Sequence, residues 1–343
     1  MDHVERELRG GLEALMREET WRPLSADLPV LASSNRLVEA LRREMRDCVA
    51  RVSRGPALLA LAAAFQRVYR AYASRLVARL PRTAAGGTGG AAVLGTAEWQ
   101  VRLGEEDAGL ICLVATTAEH CQEMVRQLAR AVAAKLEPPL GGRVDMSEEE
   151  GEFQAVIAQC LSVLLLGIET KLEPALAALQ RTNWAAMEMV RCALLKLRPP
   201  LGWAAPLLCP SSLSPSLPPR LSPNAAQAGD QSGYVGTFRR VLAEAGAALA
   251  PPSLPPNTLR FFLDKLLRSV GPRRAEAVLR CRKISDVGCQ QLRLDVEGVK
   301  GALLEMAREG GRGCGAGAGW GAGGVGWGGG GDAGASRCLC ERV

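Results

Sequence analysis

The chain has 343 residues, 48% of them hydrophobic but only 4% aromatic, with three tyrosines in all. That is ample material for a buried core, and its richness in Leu, Ala, Arg and Glu is a helix composition. The formal charge is +6, but four of those cations fall in the acid-free segment 191–229, so the remainder is nearly balanced and argues for no nucleic-acid partner.

In chain order, Val4, Leu8, Leu12 and Leu15 give a one-stripe amphipathic helix expected to fade around Gly10 and Gly11. A polar link with Pro23 and Pro29 follows. Ser33 or Ser34 then can cap a stronger helix, whose Leu37, Leu41, Met45, Cys48 and Val52 form a stripe opposite arginines and glutamates. Pro56 suits the first turn of the next helix, which runs to about Leu80. Leu58, Leu61, Phe65, Val68, Tyr69, Tyr72 and Leu76 give that helix a wide apolar face, and Pro81 with the Gly86–Gly90 cluster breaks it. Two further helical patterns cover about Glu105–Thr117 and Ala118–Glu137, ending at Pro138 and Pro139.

The stretch Ser147–Trp184 is the expected centre of the fold. Ser147 with Glu150 is a capping-box pattern, so a helix starts there. Phe153, Val156, Ile157, Cys160, Leu164, Ile168 and Leu172 recur at three- and four-residue steps, and Leu161, Val163, Leu165 and Leu166 carry apolar surface most of the way round. Such a helix needs neighbours on several sides. Its uncharged run, between Glu152 and Glu169, is only 16 residues, short of the roughly 20 that cross a bilayer. Pro174 is expected to kink or interrupt it.

Beyond Val190 the character changes. Residues 191–229 hold eight of the twenty prolines and no acid, with no period of two or 3.6, and read as unstructured. Helical patterns resume near Tyr234–Ala250 and Pro256–Leu279, and Ser285 can cap a last helix carrying Leu292, Val296, Val299, Leu303 and Met306. From Gly311 the chain is glycine-rich around Trp320 and Trp327 and too poor in side chains to fold. No segment alternates as a strand does. The expected fold class is all-α, elongated stacked helical bundles with a disordered insertion and tail: a bundle region 1–82, a Gly-rich loop 83–97, a bundle 98–190 around the central helix 147–184, the insertion 191–229, a continuing bundle 230–309 and the tail 310–343.

Residues with chemistry are few. His3 and His120 are the only histidines, so any histidine triad would use one or both; Glu119-His120-Cys121 lacks a second ligand cluster, and His120 reads as a surface residue. Cys338-Leu339-Cys340 offers two soft ligands where a zinc site wants four. Cys48, Cys112, Cys160 and Cys289 lie in helical stripes and read as core. Gly86-Gly87-Thr88-Gly89-Gly90 lacks the lysine that a phosphate loop needs. Arg42, Arg43, Arg46, Arg273 and Arg274 read as solvated helix faces. No catalytic, metal or cofactor site is expected. Eleven cysteines, in a chain whose first residues carry no apolar leader, point to a cytosolic protein with reduced thiols and no disulfides.

Several strings, in order, carry a resemblance. They are Pro56-Ala57-Leu58-Leu59-Ala60-Leu61 leading into Phe65-Gln66-Arg67-Val68-Tyr69-Arg70-Ala71-Tyr72-Ala73; Leu110-Ile111-Cys112-Leu113 with Thr117-Ala118-Glu119-His120-Cys121; Asp230-Gln231-Ser232-Gly233-Tyr234-Val235; and Ile284-Ser285-Asp286-Val287-Gly288 with Gln291-Leu292-Arg293-Leu294-Asp295. Over roughly residues 30–306 the chain resembles the C-terminal half of the vacuolar protein sorting-associated protein 53 family. The resemblance implies a subunit of the Golgi-associated retrograde protein complex and its endosomal sister complex, helical-rod tethers that capture endosome-derived vesicles at the trans-Golgi network and promote SNARE assembly. It implies sister subunits, SNAREs and small GTPases as partners, a cytoplasmic location peripheral to trans-Golgi and endosomal membranes, and no cofactor. The family's N-terminal coiled-coil half has no counterpart here, segment 191–229 interrupts a place where the family runs straight from a residue like Val190 into Gly229, and the glycine tail replaces the family's continuation after about Arg308. Segment 191–228 and the tail therefore read as translated intron or an erroneous gene model, with a regulatory linker as the competing reading. The alternative function is another all-helical adaptor, or a GTPase regulator acting through an exposed arginine.

Overall fold

A computed structural model describes residues 2–26, 28–51, 55–81, 104–187, 231–281 and 283–312. They form nine helices: α1 Asp2–Glu18, α2 Ala32–Arg51, α3 Gly55–Arg79, α4 Glu105–Ala133, the single turn α5 Pro138–Gly141, α6 Ser147–Arg181, α7 Gly233–Leu249, α8 Pro256–Leu279 and α9 Asp286–Arg312. Among the described residues there is no strand, only a lone antiparallel bridge between Pro23 and Leu31. The all-α expectation holds. Segment 191–229, the Gly86–Gly90 cluster and the tail beyond Arg312 lie outside the described residues.

The spine is α6, about 52 Å long at the ordinary helical rise. It packs on α3, α4, α7 and α8 and so joins an N-terminal group of helices to a C-terminal one. Against α4 it runs antiparallel: Arg126 Nε donates to Glu150 Oε2 at 2.7 Å, and Gln122 faces Gln154 four residues further along. Tyr69 of α3 meets Phe153 edge-on, ring centroids 5.9 Å apart. Near its other end, Glu169 accepts from Ser269 of α8 and pairs with Arg273 at 3.4 Å. By length and composition α6 could cross a membrane, but half of its most apolar window is buried inside the protein, Leu164 and Leu172 included. A core helix of a globular bundle passes the same test.

Three features of α6 and α4 depart from the sequence reading. The helix begins at Ser147, but Ser147 does not cap it: its N–H donates to Asp145 Oδ1 at 2.9 Å, so the aspartate two residues upstream takes the orphan donor instead. That bond holds the Asp145 carboxyl below its usual range. Pro174 does not interrupt the helix. One missing N–H costs less than exposing Leu172, Ala175, Leu176 and Leu179, all buried around it. The two patterns about Glu105–Thr117 and Ala118–Glu137 are one helix ending at Ala133, because Thr116 and Thr117 turn their hydroxyls back onto the carbonyls of Cys112 and Leu113 and the ladder is never broken.

Helix α1 also runs on unbroken through Gly10 and Gly11 to Glu18. Packing of Leu8 and Leu12 under α2 and α3 offsets the low helix propensity of two glycines. Neither Ser33 nor Ser34 caps α2. Ser34 Oγ donates to Leu31 O, Ser33 Oγ pairs with the Tyr72 hydroxyl at 2.9 Å, and the Ser33 N–H is taken by Glu19 Oε2 at 2.7 Å. A carboxylate from the preceding link does the capping.

Candidate functional site

The few residues with chemistry are scattered. His3 sits exposed on α1, 3.2 Å from Glu7 one turn on. His120 is not the surface residue expected: both of its ring nitrogens are enclosed without a hydrogen-bond partner, on the flank of α4 that faces α2. Burial, helped by the Arg42 charge, lowers its pKa. Its neighbour Glu119 turns elsewhere and accepts from Thr258 Oγ1 at 2.8 Å, with its carboxyl pushed up by burial. Cys121 is fully buried, so the three consecutive residues share no site. Among the described residues no three potential metal ligands come together.

Cys112 and Cys160 are core residues, as expected, and burial pushes both thiols up to about 12, which makes them poor nucleophiles. Cys48 is half-buried. Cys289 is exposed, a correction: it lies in the first turn of α9, at the edge of the stripe that Leu292 and Val299 bury. Cys338 and Cys340 lie outside the described residues.

What the structure does bring together is the last two family-like strings, around Tyr234 and Ser285, at a corner where the end of α6 meets α7, α8 and α9. Trp184, buried just past α6, donates from Nε1 to Leu179 O and packs edge-on against Tyr234 with centroids 6.4 Å apart. Ser285 caps α9 as the sequence indicated: its Oγ accepts the Gly288 N–H at 3.1 Å and donates to the Trp184 carbonyl at 2.9 Å. A side chain at Gly288 would put its Cβ 2.5 Å from that carbonyl, so only glycine permits the approach.

Under this corner lies a polar cluster. Asp295 is fully buried, and its Oδ1 accepts the Ser232 N–H at 3.0 Å and Gln291 Nε2 at 3.1 Å. Arg274 of α8 is also buried, contrary to the solvated face expected of it, while its neighbour Arg273 remains half-exposed beside Glu169. The Tyr234 hydroxyl lies near both Asp295 and Arg274 without a well-formed hydrogen bond to either, and burial together with the Asp295 carboxylate raises its pKa. A second buried acid, Glu149 at the start of α6, is held by Arg70 Nε at 2.6 Å, with Glu148 on the same guanidinium. Periodicity pointed to neither acid. Both fall among acids that sequence alone would place in water, and only the string Gln291–Asp295 carried a hint.

These arrangements fix helices against one another: Asp295 ties α9 to the residues just before α7, and Arg70 ties α3 to the start of α6.

Comparison with known proteins decides the family. Over 303 residues, 88% of this chain, the sequence is 33% identical to vacuolar protein sorting-associated protein 53 A of Arabidopsis thaliana. The chain belongs to the vacuolar protein sorting-associated protein 53 family. A second member of the family, the homolog of Caenorhabditis elegans, is 27% identical over 243 residues, 69% of the chain. No protein-family model matches. The chain spans 31% of the Arabidopsis protein and 25% of the C. elegans one, so it corresponds to less than a third of either family member.

Proposed function

We propose that the chain is a non-enzymatic part of a multisubunit vesicle tether that acts in retrograde transport from endosomes to the trans-Golgi network and in endosomal recycling. Its work is to present helix faces to sister subunits and to SNAREs, held at the membrane by proteins rather than by a segment of its own. The observation that carries this is the 33% identity to a sorting-associated family member across 88% of the chain. An all-helical build with a single long spine, α6, supports it, since a tether needs stiff reach and many side faces more than a pocket.

Affinity purification of the tagged chain from cells tests the proposal. Sister subunits of the tether and SNAREs should co-purify in amounts that follow the bait. Loss of both, together with a changed hydrolysis or exchange rate when the purified chain is added to a small GTPase, would replace the tether by a GTPase regulator.

A further inference from the structure

The apolar stripe of α2 outruns its packing. Leu37, Val38 and Leu41 are buried, but Met45, Cys48 and Val49 continue the same face only partly covered, and no residue from Arg42 to Arg51 is buried. At its start α2 is pinned, with the Leu31 N–H donating to Thr117 Oγ1 at 3.0 Å. Further along, Arg42 reaches Gln127 Oε1 at 3.2 Å and the Met124 sulfur at 3.7 Å. There a surface groove of about 400 Å³ opens, its floor Met45, Leu128 and Ala131 and its rim Glu39, Arg42 and Arg46.

The rim has a definite sign. Arg42 and Arg46 stand one helical turn apart; Arg42 bonds only to neutral acceptors, and among the described residues Arg46 has no ion-pair partner. Glu39 is the lone acid on the lining, three residues before Arg42. Two uncompensated guanidiniums beside an apolar floor call for carboxylates at the same one-turn spacing beside an apolar stripe, which is the face of an acidic amphipathic helix. A flat bilayer would meet the rim and leave the floor empty.

We propose that the groove between α2 and α4 docks an amphipathic helix of a partner protein, whose apolar stripe seats on Met45 and Leu128 and whose carboxylates, four residues apart, meet Arg42 and Arg46. This goes beyond the tether reading and stands whether or not the partner is a sister subunit. The pairs are rim-exposed, so they select the partner more than they hold it, and the apolar floor supplies most of the grip.

The test uses the full chain and two fluorescein-labelled helical peptides that share one leucine stripe, the first with glutamates four residues apart beside it, the second with lysines at the same positions. Fluorescence anisotropy should show the acidic peptide binding at least roughly tenfold tighter at low salt, with the difference shrinking as salt rises. Arg42→Glu with Arg46→Glu should reverse that order, and Arg42→Gln with Arg46→Gln should abolish the preference; both pairs are exposed, and an unchanged melting curve verifies their fold. Bound acidic peptide should also slow alkylation of Cys48 relative to Cys289. Equal binding of the two peptides, or a preference untouched by charge reversal, overturns the proposal. So does self-association of the chain that Met45→Glu abolishes, which would make the occupant a second copy. Slowing of Cys48 alkylation by phosphatidylserine vesicles but not by the acidic peptide would make it a membrane.

Discussion

Replacing Asp295 by Ala probes whether the corner beneath Trp184 and Ser285 locks the C-terminal helices together. The carboxylate is fully buried, and its Oδ1 takes both the Ser232 N–H and Gln291 Nε2. Removing it leaves the Ser232 N–H without its acceptor and takes one acceptor from Gln291, about 1–3 kcal/mol in partly relaxed surroundings. The buried Arg274 lies near the same Tyr234 hydroxyl but makes no ion pair with Asp295, so the lost charge adds only about 1 kcal/mol through space. These overlap, so a loss of about 3 kcal/mol is expected, a large share of the stability of an ordinary domain. Asp295→Asn keeps an acceptor for Ser232 and loses only the charge, and should cost about half as much. Adding Arg274→Met to Asp295→Ala should recover part of the loss, because the orphaned charge is gone. Urea unfolding followed by circular dichroism at 222 nm reads all four proteins. Asp295→Ala within about 1 kcal/mol of the parent, or no recovery in the double variant, would refute the reasoning.

Leu164→Asp, on the fully packed girth of α6, should cost at least about 4 kcal/mol, combining lost apolar burial with an unpaired buried charge; an unchanged melting temperature would mean that this face of α6 is open. His120 has a lowered pKa in the folded chain, so the unfolded chain binds the proton more readily and stability should fall as pH drops below about 6.5, the ordinary value; His120→Asn should flatten that part of the stability-against-pH curve, and parallel curves would refute the burial argument. Deleting residues 191–228 shortens the 43-residue link 188–230 to five residues, and because Trp184 and Tyr234 already pack together, about three halvings of loop length should raise stability by about 2 kcal/mol. A destabilised deletion variant would show that the segment contributes contacts.

The fold was legible because helices declare themselves by period. The starts of α8 and α6 fall where Pro256 and the Ser147–Glu150 pattern put them, although the Ser147 side chain does not make the cap. What was hidden lies in partners distant in sequence. Glu19 caps α2 from the preceding link, and Asp145 displaces a serine with an orthodox capping pattern. Pro174 looked like a break because sequence shows the lost N–H but not the four buried residues that hold the helix through it. Cys289 and Arg274 exchanged places with expectation for one reason: the stripe of a helix tells which residues share a face, and only the neighbour's position tells which face is covered. The family-like strings were legible as words, and the meeting of the last two at one corner was not.

The most direct test of the account is binding of the purified, folded chain to reconstituted sister subunits of the tether and to SNARE domains, measured by interferometry with each partner in turn. The account predicts saturable, salt-sensitive binding to at least one of them, and no change in the hydrolysis rate of a small GTPase. A chain with an intact helical melting curve that binds none of them, and that alters GTPase turnover instead, would contradict it.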